Sequence, residues 1–460
     1  MDVKQQKLVR DPVFLEDVHS SGRSAATVGE KHIYLQGGIP GETVTYTLER
    51  RKQGFRSGTV ESVVQASPHR VRPFCRHYND CGGCPWQHIG YAHQLNLKHR
   101  ILVTALEKYA IDTPPVPPVI PSPETTFYRH RMEYAFTAVS AGDGAEFRGP
   151  GLGFHRTEAP GRVTGIHECY LQVQPSRAIC DFLMDYVNKG NRSLYDHRQK
   201  AGWLRSLSIR MNLRGEVLVV VGFNENHPQE RDSLLANLHA AFPQIVSLCY
   251  TIHLSHSHSQ MQGEVVPFAG PPWLEETLSG FRFRIHASSF FQPNASQAAR
   301  IFLTAREWAA PEGHEMIYDL YTGVGTLALF MSGSASSVIG IEGSARAIED
   351  AAFNATLNNV ANAHFLTGDI LETFTPSFVA SHGTPDLIVL DPPRSGTLIE
   401  IKKTINQSGA KKLIYLSCNP VSLAFDLKQL TEVYQVVQIQ PFDMLPHTHH
   451  LETLVMLELK

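Results

Sequence analysis

The sequence predicts an α/β protein of three units: a C-terminal doubly wound parallel sheet, an N-terminal β-barrel and a mixed α+β unit between them. Three observations carry this. From about Ser289 short apolar runs alternate with helical periods, the βαβ rhythm of a parallel sheet buried on both faces. From residue 11 to 68 apolar and polar positions alternate between glycine turns, the period of half-buried antiparallel strands. A chain of 460 residues is too long for one hydrophobic core and divides into two or three.

Composition narrows the function classes. With 42% hydrophobic and 18% charged residues the chain is of ordinary globular type. A formal charge of −3 excludes a uniformly basic nucleic-acid binder and leaves RNA contact to local patches or to some of the 23 histidines. No run of eighteen apolar residues is present and Met1–Lys7 lacks the apolar core of a signal peptide, so a cytoplasmic protein without a membrane partner is expected. Three of the seven cysteines fall between Cys75 and Cys84, which favours a metal or catalytic role over disulfides.

Each element follows from its residues. Val13–Leu15, His32–Leu35 and Val44–Leu48 read as strands of the barrel, with a turn at Gly38–Glu42. Arg50, Arg51, Lys52 and Arg56 surround Phe55 on an expected hairpin, either a phosphate-gripping surface or a solvated turn. Tyr91, Leu95, Leu97, Ile101, Leu102 and Leu106 recur at helical spacing, and the five prolines between Pro114 and Pro121 make a stiff extended connector. Residues 126–288 alternate strand-like runs, such as Met132–Phe136 and Glu216–Phe223, with helices. Beyond them come a helix at Ala295–Trp308 and strands at Met316–Leu320, Ser337–Ile341, Leu387–Leu390 and Lys412–Leu416. The expected division is 1–68 for the barrel, 69–92 with 125–288 for the central unit, and 93–124 with 289–460 for the doubly wound unit, whose ligands belong beyond the carboxyl ends of its strands.

Ile317–Thr326 is a strand running into a turn in which Gly323 and Gly325 let backbone approach a ligand. Glu342 ends the next strand, where a carboxylate accepts from ribose hydroxyls. No third glycine and no G-x-x-x-x-G-K are present, which speaks against a dinucleotide and a P-loop nucleotide; S-adenosylmethionine fits better. Asp369 is placed to reach the adenine, and Asp391-Pro392-Pro393-Arg394 closes a later strand beside the methyl donor. Any one of these sites could be a mere cap or turn; four in order point to the cofactor.

Ser417-Cys418-Asn419-Pro420 puts a cysteine at a strand end, and Glu452 follows in His447-Thr448-His449-His450-Leu451-Glu452. A thiolate that adds to a pyrimidine ring and a carboxylate that later removes a ring proton need these two residue types. A buried free cysteine and a strand-edge glutamate are the bland alternatives. Separately, Cys75, Cys81 and Cys84 supply three thiolates on a glycine-bearing loop. Cys169 is the best fourth, since Cys180 lies in a helical run and Cys249 in an apolar strand. Thiolate-only ligation suits structural zinc or an iron–sulfur cluster.

Together these motifs resemble the RNA uridine-5-methyltransferases, the family that forms 5-methyluridine in transfer and ribosomal RNA, from the barrel to the last strand. Phe290-Phe291-Gln292-Pro293-Asn294 resembles the motif that opens its methyltransferase domain, Asp391–Arg394 its substrate-side loop, Ser417–Pro420 its nucleophile loop and His447–Glu452 its base segment. The barrel resembles the OB-like TRAM domain of the ribosomal-RNA branch. The resemblance implies a Rossmann-like methyltransferase domain with cofactor contacts at Gln292, Tyr321, Thr326, Glu342, Asp369 and Asp391. It implies Cys418 as nucleophile, Glu452 as general base and a [4Fe-4S] cluster rather than zinc on Cys75, Cys81, Cys84 and Cys169. The implied reaction is methylation of uridine in 23S ribosomal RNA by a monomer, with transfer RNA as the alternative substrate. Thr322 stands where relatives often carry cysteine. A non-enzymatic RNA-binding or ribosome-assembly factor would be expected to have lost Cys418 or Glu452, and both are present.

Overall fold

A computed structural model describes residues 9–49, 56–140, 149–156, 162–190, 192–196, 199–253 and 263–460. The N-terminal strands β1 (Arg10–Phe14), β2 (Asp17–Val18), β3 (Ser24–Val28), β4 (Lys31–Gln36), β5 (Thr43–Leu48) and β6 (Ser57–Gln65) form one sheet in the order β1-β5-β6-β4-β3-β2. Their alternate positions supply a core of Leu15, Ala26, Ile33, Leu35, Val44 and Tyr46. The expected all-antiparallel pairing fails at one ladder, because β4 and β6 run parallel. The turn after β4 carries β5 past its neighbour, and β6 returns antiparallel to β5 into the gap between them. Of the basic cluster, Arg50, Arg51 and Lys52 lie outside the described residues, and Arg56 leads into β6.

Helix α1 (Tyr91–Lys108) buries Leu97, Ile101, Leu102, Ala105 and Leu106 on one stripe. The same face carries Lys98, fully buried and paired with the equally buried Asp443. Tyr91 donates to Asp443 at 2.8 Å, Lys98 to the Leu445 carbonyl at 3.1 Å, and Gln94 Oε1 accepts from the His447 amide at 2.9 Å. The helix thus clamps the chain that leads to Glu452. Lys98→Met should cost about 3–5 kcal/mol, because it strands an uncompensated buried carboxylate. Chemical denaturation checks this, and a loss below about 1 kcal/mol would show that water or another cation replaces the pair.

The central sheet contains β7 (Arg131–Thr137), β8 (Gly151–His155) and β9 (Val163–Gly165). After α2 (Ser176–Gly190) come β10 (Leu204–Met211) and β11 (Val217–Phe223), then α3 (Pro228–Ala241), β12 (Ile245–Ile252) and β13 (Val266–Ala269). The order is β13-β12-β11-β10-β7-β8-β9; the α3 crossover makes β11 and β12 parallel and the other pairs are antiparallel. Hairpin β14 (Trp273–Leu278) and β15 (Phe281–His286) bridges two cores. Leu274 packs with Leu218 and Val220 of the central sheet, whereas Leu278, Phe283 and Ile285 join the core of the C-terminal sheet.

The C-terminal unit opens with α4 (Ala295–Ala309), capped by Asn294, whose side chain accepts from Gln297. It continues with β16 (Met316–Leu320), α5 (Thr326–Ser332), β17 (Ser337–Glu342), α6 (Ala345–Leu357), β18 (Ala363–Thr367), α7 (Ile370–Thr373), α8 (Pro376–His382) and β19 (Leu387–Leu390). Last come α9 (Ile399–Gln407), β20 (Lys412–Ser417), α10 (Pro420–Leu430), β21 (Tyr434–Phe442) and β22 (Glu452–Leu459). The order β18-β17-β16-β19-β20-β22-β21 reverses between β16 and β19, so a crevice opens beyond the carboxyl ends of these strands. The first five strands are parallel, as expected. β22 is antiparallel to β20 and to β21, which brings its first residue back to the edge where β20 ends. Among the described residues no helix is long and apolar enough to cross a membrane.

Candidate active site

The turn after β16 builds one half of the crevice. Tyr321 adopts a left-handed conformation at φ 67°, and its amide and that of Thr322 both donate to the Ile341 carbonyl, at 3.0 and 3.1 Å. A non-glycine residue held there is strained backbone of the kind that clusters at ligand sites. Gly325, at φ 82°, packs so closely that an added Cβ would lie 3.0 Å from that of Ala351. Glu342 turns toward this loop and accepts from the amides of Gly323 and Ser344, at 3.3 and 2.9 Å. Burial raises the pKa of the Tyr321 phenol, and the nearby carboxylates of Asp369 and Glu342 add to the rise, so three of the expected cofactor residues share one environment. Thr326 opens α5, and the exposed Asp369 caps α7 by accepting from Leu371 at 2.8 Å. Gln292 sits half-buried ahead of α4, next to Phe291, which shares a core with Val324 of the turn.

Asp319 was not among the expected site residues. It is buried, accepts from Thr322 at 2.5 Å and from the Ala328 amide at 2.9 Å, and its Oδ1 has no partner. Burial pushes its pKa up to about 7. The signal was a carboxylate inside the apolar run Ile317–Leu320. An unsatisfied buried acceptor beside a strained glycine turn, with Glu342 and Asp369 within reach, fits a nucleoside ligand that brings its own donors.

The other half of the crevice carries the reactive groups. The β20–β22 register pairs Ser417 with Thr453, so the next step along each strand sets Cys418 against Glu452. Burial, then the carboxylates of Glu452 and Asp391, push the Cys418 thiol up to about 12, against the opposing pull of Arg394. Glu452 is buried and pushed up to about 8, by burial and then by Asp391, again against Arg394. Asp391 rises to about 7 through burial and the neighbouring Asp319. The loop bearing Arg394 is tied to the nucleophile loop, since Asn419 Nδ2 and Ser422 Oγ donate to the Arg394 carbonyl at 2.9 and 3.1 Å. The motif Asp391–Arg394 is legible in the sequence, but the part of Arg394 is visible only in the fold.

Glu452 gives a stability prediction with a definite sign. Its folded pKa lies above the ordinary 4.5, so the neutral form stabilises the fold; that contribution is complete below pH 4.5 and lost as pH rises through about 8. Glu452→Gln should therefore gain thermal stability relative to the parent at pH 9 and not at pH 5. Melting curves at the two pH values check it, and an equal difference at both would contradict the burial of an ionising carboxyl.

Away from the crevice, Cys75, Cys81, Cys84 and Cys169 line a single cavity, together with Tyr170 and Leu171. Burial pushes the thiols of Cys81 and Cys84 up to about 12 and raises those of Cys75 and Cys169, so four protonated sulfurs line a desolvated space. Such a donor set fits a cationic centre that would take the place of the protons. Cys180 in α2 and Cys249 in β12 are buried in hydrophobic cores instead.

Comparison with known proteins agrees with this geometry. The family described as tRNA (uracil-5-)-methyltransferase matches residues 273–460. An RNA methyltransferase of Porphyromonas gingivalis is 36% identical over 459 residues, covering 96% of this chain and 98% of the relative. One from Bacteroides thetaiotaomicron is 36% identical over 452 residues, covering 96% of this chain and all of the relative. The crystal structure of the Pyrococcus abyssi tRNA (uracil-54, C5)-methyltransferase in complex with S-adenosyl-L-homocysteine superposes with a TM-score of 0.76 at 26% identity, over 97% of this chain and 100% of that one.

Proposed function

The chain belongs to the RNA uridine-5-methyltransferase family and is an S-adenosylmethionine-dependent RNA methyltransferase; from that premise we propose that it methylates carbon 5 of a specific uridine in 23S ribosomal RNA through a covalent adduct with Cys418. The observation that carries the reading is the antiparallel return of β22, which sets Glu452 against Cys418 with Asp391 and Arg394 beside both.

Carbon 5 of uracil is a poor nucleophile. Cys418 gives up its proton to solvent and bonds through sulfur to carbon 6, and the electron pair of the ring double bond moves toward carbon 5 and O4. The Arg394 guanidinium favours the thiolate in this step. Bound S-adenosylmethionine supplies the methyl group as a cationic sulfonium whose carbon–sulfur bond breaks on transfer. Gln292, Tyr321, Thr326, Glu342, Asp369 and Asp391 are the residues that would hold it. Glu452, which must first give its own carboxyl proton to solvent, then takes the proton from carbon 5, the ring double bond reforms and the Cys418 sulfur is expelled as thiolate. The target nucleotide must leave the RNA stack to reach this pocket, at a cost of a few kcal/mol.

The four cavity cysteines would carry a [4Fe-4S] cluster. A tetrahedral zinc with Zn–S bonds of about 2.3 Å would draw its sulfurs to about 3.8 Å apart. Among the described residues, however, only Glu312, His314 and Glu315 bring three ligand-type atoms within 4.8 Å of one another. Sulfurs spread more widely than that suit a larger inorganic centre. In the proposed monomer the N-terminal sheet, read as a TRAM domain at 1–68, grips RNA, and the central unit carries the cluster.

A transfer-RNA substrate is the second reading, favoured by the likeness to the Pyrococcus abyssi enzyme over nearly the whole chain. Mapping 5-methyluridine in both RNAs from cells lacking this protein separates the two. Loss confined to 23S ribosomal RNA is expected, loss confined to transfer RNA would give the substrate to the second reading, and loss in neither would overturn both.

A further inference from the structure

Arg394 donates from Nη2 to Nδ1 of His450 at 3.2 Å. A guanidinium only donates, so Nδ1 is the lone-pair nitrogen and the neutral ring carries its proton on Nε2. Burial, the neighbouring His449 ring at 4.3 Å and the cations Arg394, Lys98 and Arg129 push His450 down to about 3, which keeps the ring neutral. His450 is half-buried and lies two residues before Glu452. Leu451 between them turns into the core that holds Val455 and Leu457, whereas Leu454 and Met456 pack into the opposite core. His450 stands just ahead of the strand end that Glu452 opens, where the Arg394 guanidinium reaches its ring. The guanidinium that orients its ring is the one whose charge acts on Cys418 and Glu452.

A donor of defined tautomer at this place has a use in the reaction. Uracil presents a carbonyl oxygen at carbon 4, and cytosine an amino group. When sulfur bonds to carbon 6, negative charge develops on O4, and a preorganised donor aimed there strengthens as the charge grows. We propose that His450 reads the target base: its Nε2–H donates to O4 of the uracil, stabilising the enolate and rejecting cytosine, while Arg394 holds the ring in the donor tautomer. This rests on the reading that Cys418 attacks carbon 6 of a uridine. Arg394 is then a positioning residue for the base-reading group as well as a charge beside the thiol.

The test crosses residue with atom. Single-turnover methyl transfer is measured for the parent and for His450→Leu on a target RNA carrying either uridine or 4-thiouridine, whose sulfur is the weaker acceptor. The intrinsic effect of sulfur on the ring is common to both proteins, so the ratio of the two rates isolates the contact. The parent ratio is expected to exceed that of His450→Leu by about tenfold or more, the worth of one hydrogen bond to a charged acceptor. Equal ratios in the two proteins would overturn the proposal. Should His450→Leu fail to bind cofactor, His450→Asn, which keeps an acceptor for Arg394 and ends short of the Nε2 position, takes its place in the comparison. RNA with 5-fluorouridine at the target, which offers no carbon 5 proton to remove, should remain covalently attached to the parent protein. Absence of that adduct would instead overturn the Cys418 reading beneath it.

Discussion

Glu452→Gln protein should transfer its methyl group once and then remain bound to the product, with methylated RNA attached through Cys418. The amide cannot accept the carbon 5 proton, so the ring double bond cannot reform and the sulfur cannot leave. Turnover should fall by about 10²–10⁴-fold, the usual worth of a positioned base. The adduct should appear as a band of reduced mobility in a denaturing gel and vanish when Cys418→Ala is added to the same chain. Cys418→Ala alone should bind cofactor and RNA and transfer nothing, because the ring never becomes nucleophilic. Normal turnover by Glu452→Gln without an adduct would hand the base role to Asp391, the other carboxylate that acts on the Cys418 thiol.

Protein purified without oxygen should be brown and hold about four irons per chain, with labile sulfide. Cys169→Ser should lose the cluster, whereas Cys180→Ser and Cys249→Ser should keep it, because only Cys169 lines the cavity with Cys75, Cys81 and Cys84. Loss should also lower the melting temperature, since a centre joining Cys169 to the 75–84 loop contributes its binding energy to folding. The damage should reach the crevice as well: Trp86, just past Cys84, donates its amide to the His447 carbonyl at 2.9 Å and its indole N–H to the Gly22 carbonyl at 2.8 Å. An added Cβ at Gly22 would lie 2.6 Å from the Cβ of His449, so the N-terminal sheet also abuts the base segment. Stoichiometric zinc without labile sulfide in such a preparation would refute the cluster.

The sequence by itself determined the local features. Apolar runs of four to six residues set β16, β17, β19 and β20 within a residue or so of their observed limits, because a strand buried on both faces must be apolar throughout. Residue types and short spacings likewise marked Cys418, Glu452, Glu342 and the loop cysteines Cys75, Cys81 and Cys84 as candidates, since a thiolate nucleophile, a ribose-binding carboxylate and a metal-ligand loop each need particular atoms at short range, whereas Cys169, far along the chain, was reached only by setting aside Cys180 and Cys249. What the tertiary structure decided lies between residues far apart in the chain. The parallel pairing of β4 with β6 depends on which side of its neighbour β5 passes, and the return of β22 beside β20 alone brings Glu452 to Cys418. Lys98 meets Asp443 across 345 positions, and the Arg394–His450 contact spans 56. No periodicity encodes such pairs. They exist because burying the helix stripe of α1 and both faces of the C-terminal sheet leaves one arrangement in which the remaining charges find partners, and it is that packing, more than any motif, that shapes the site.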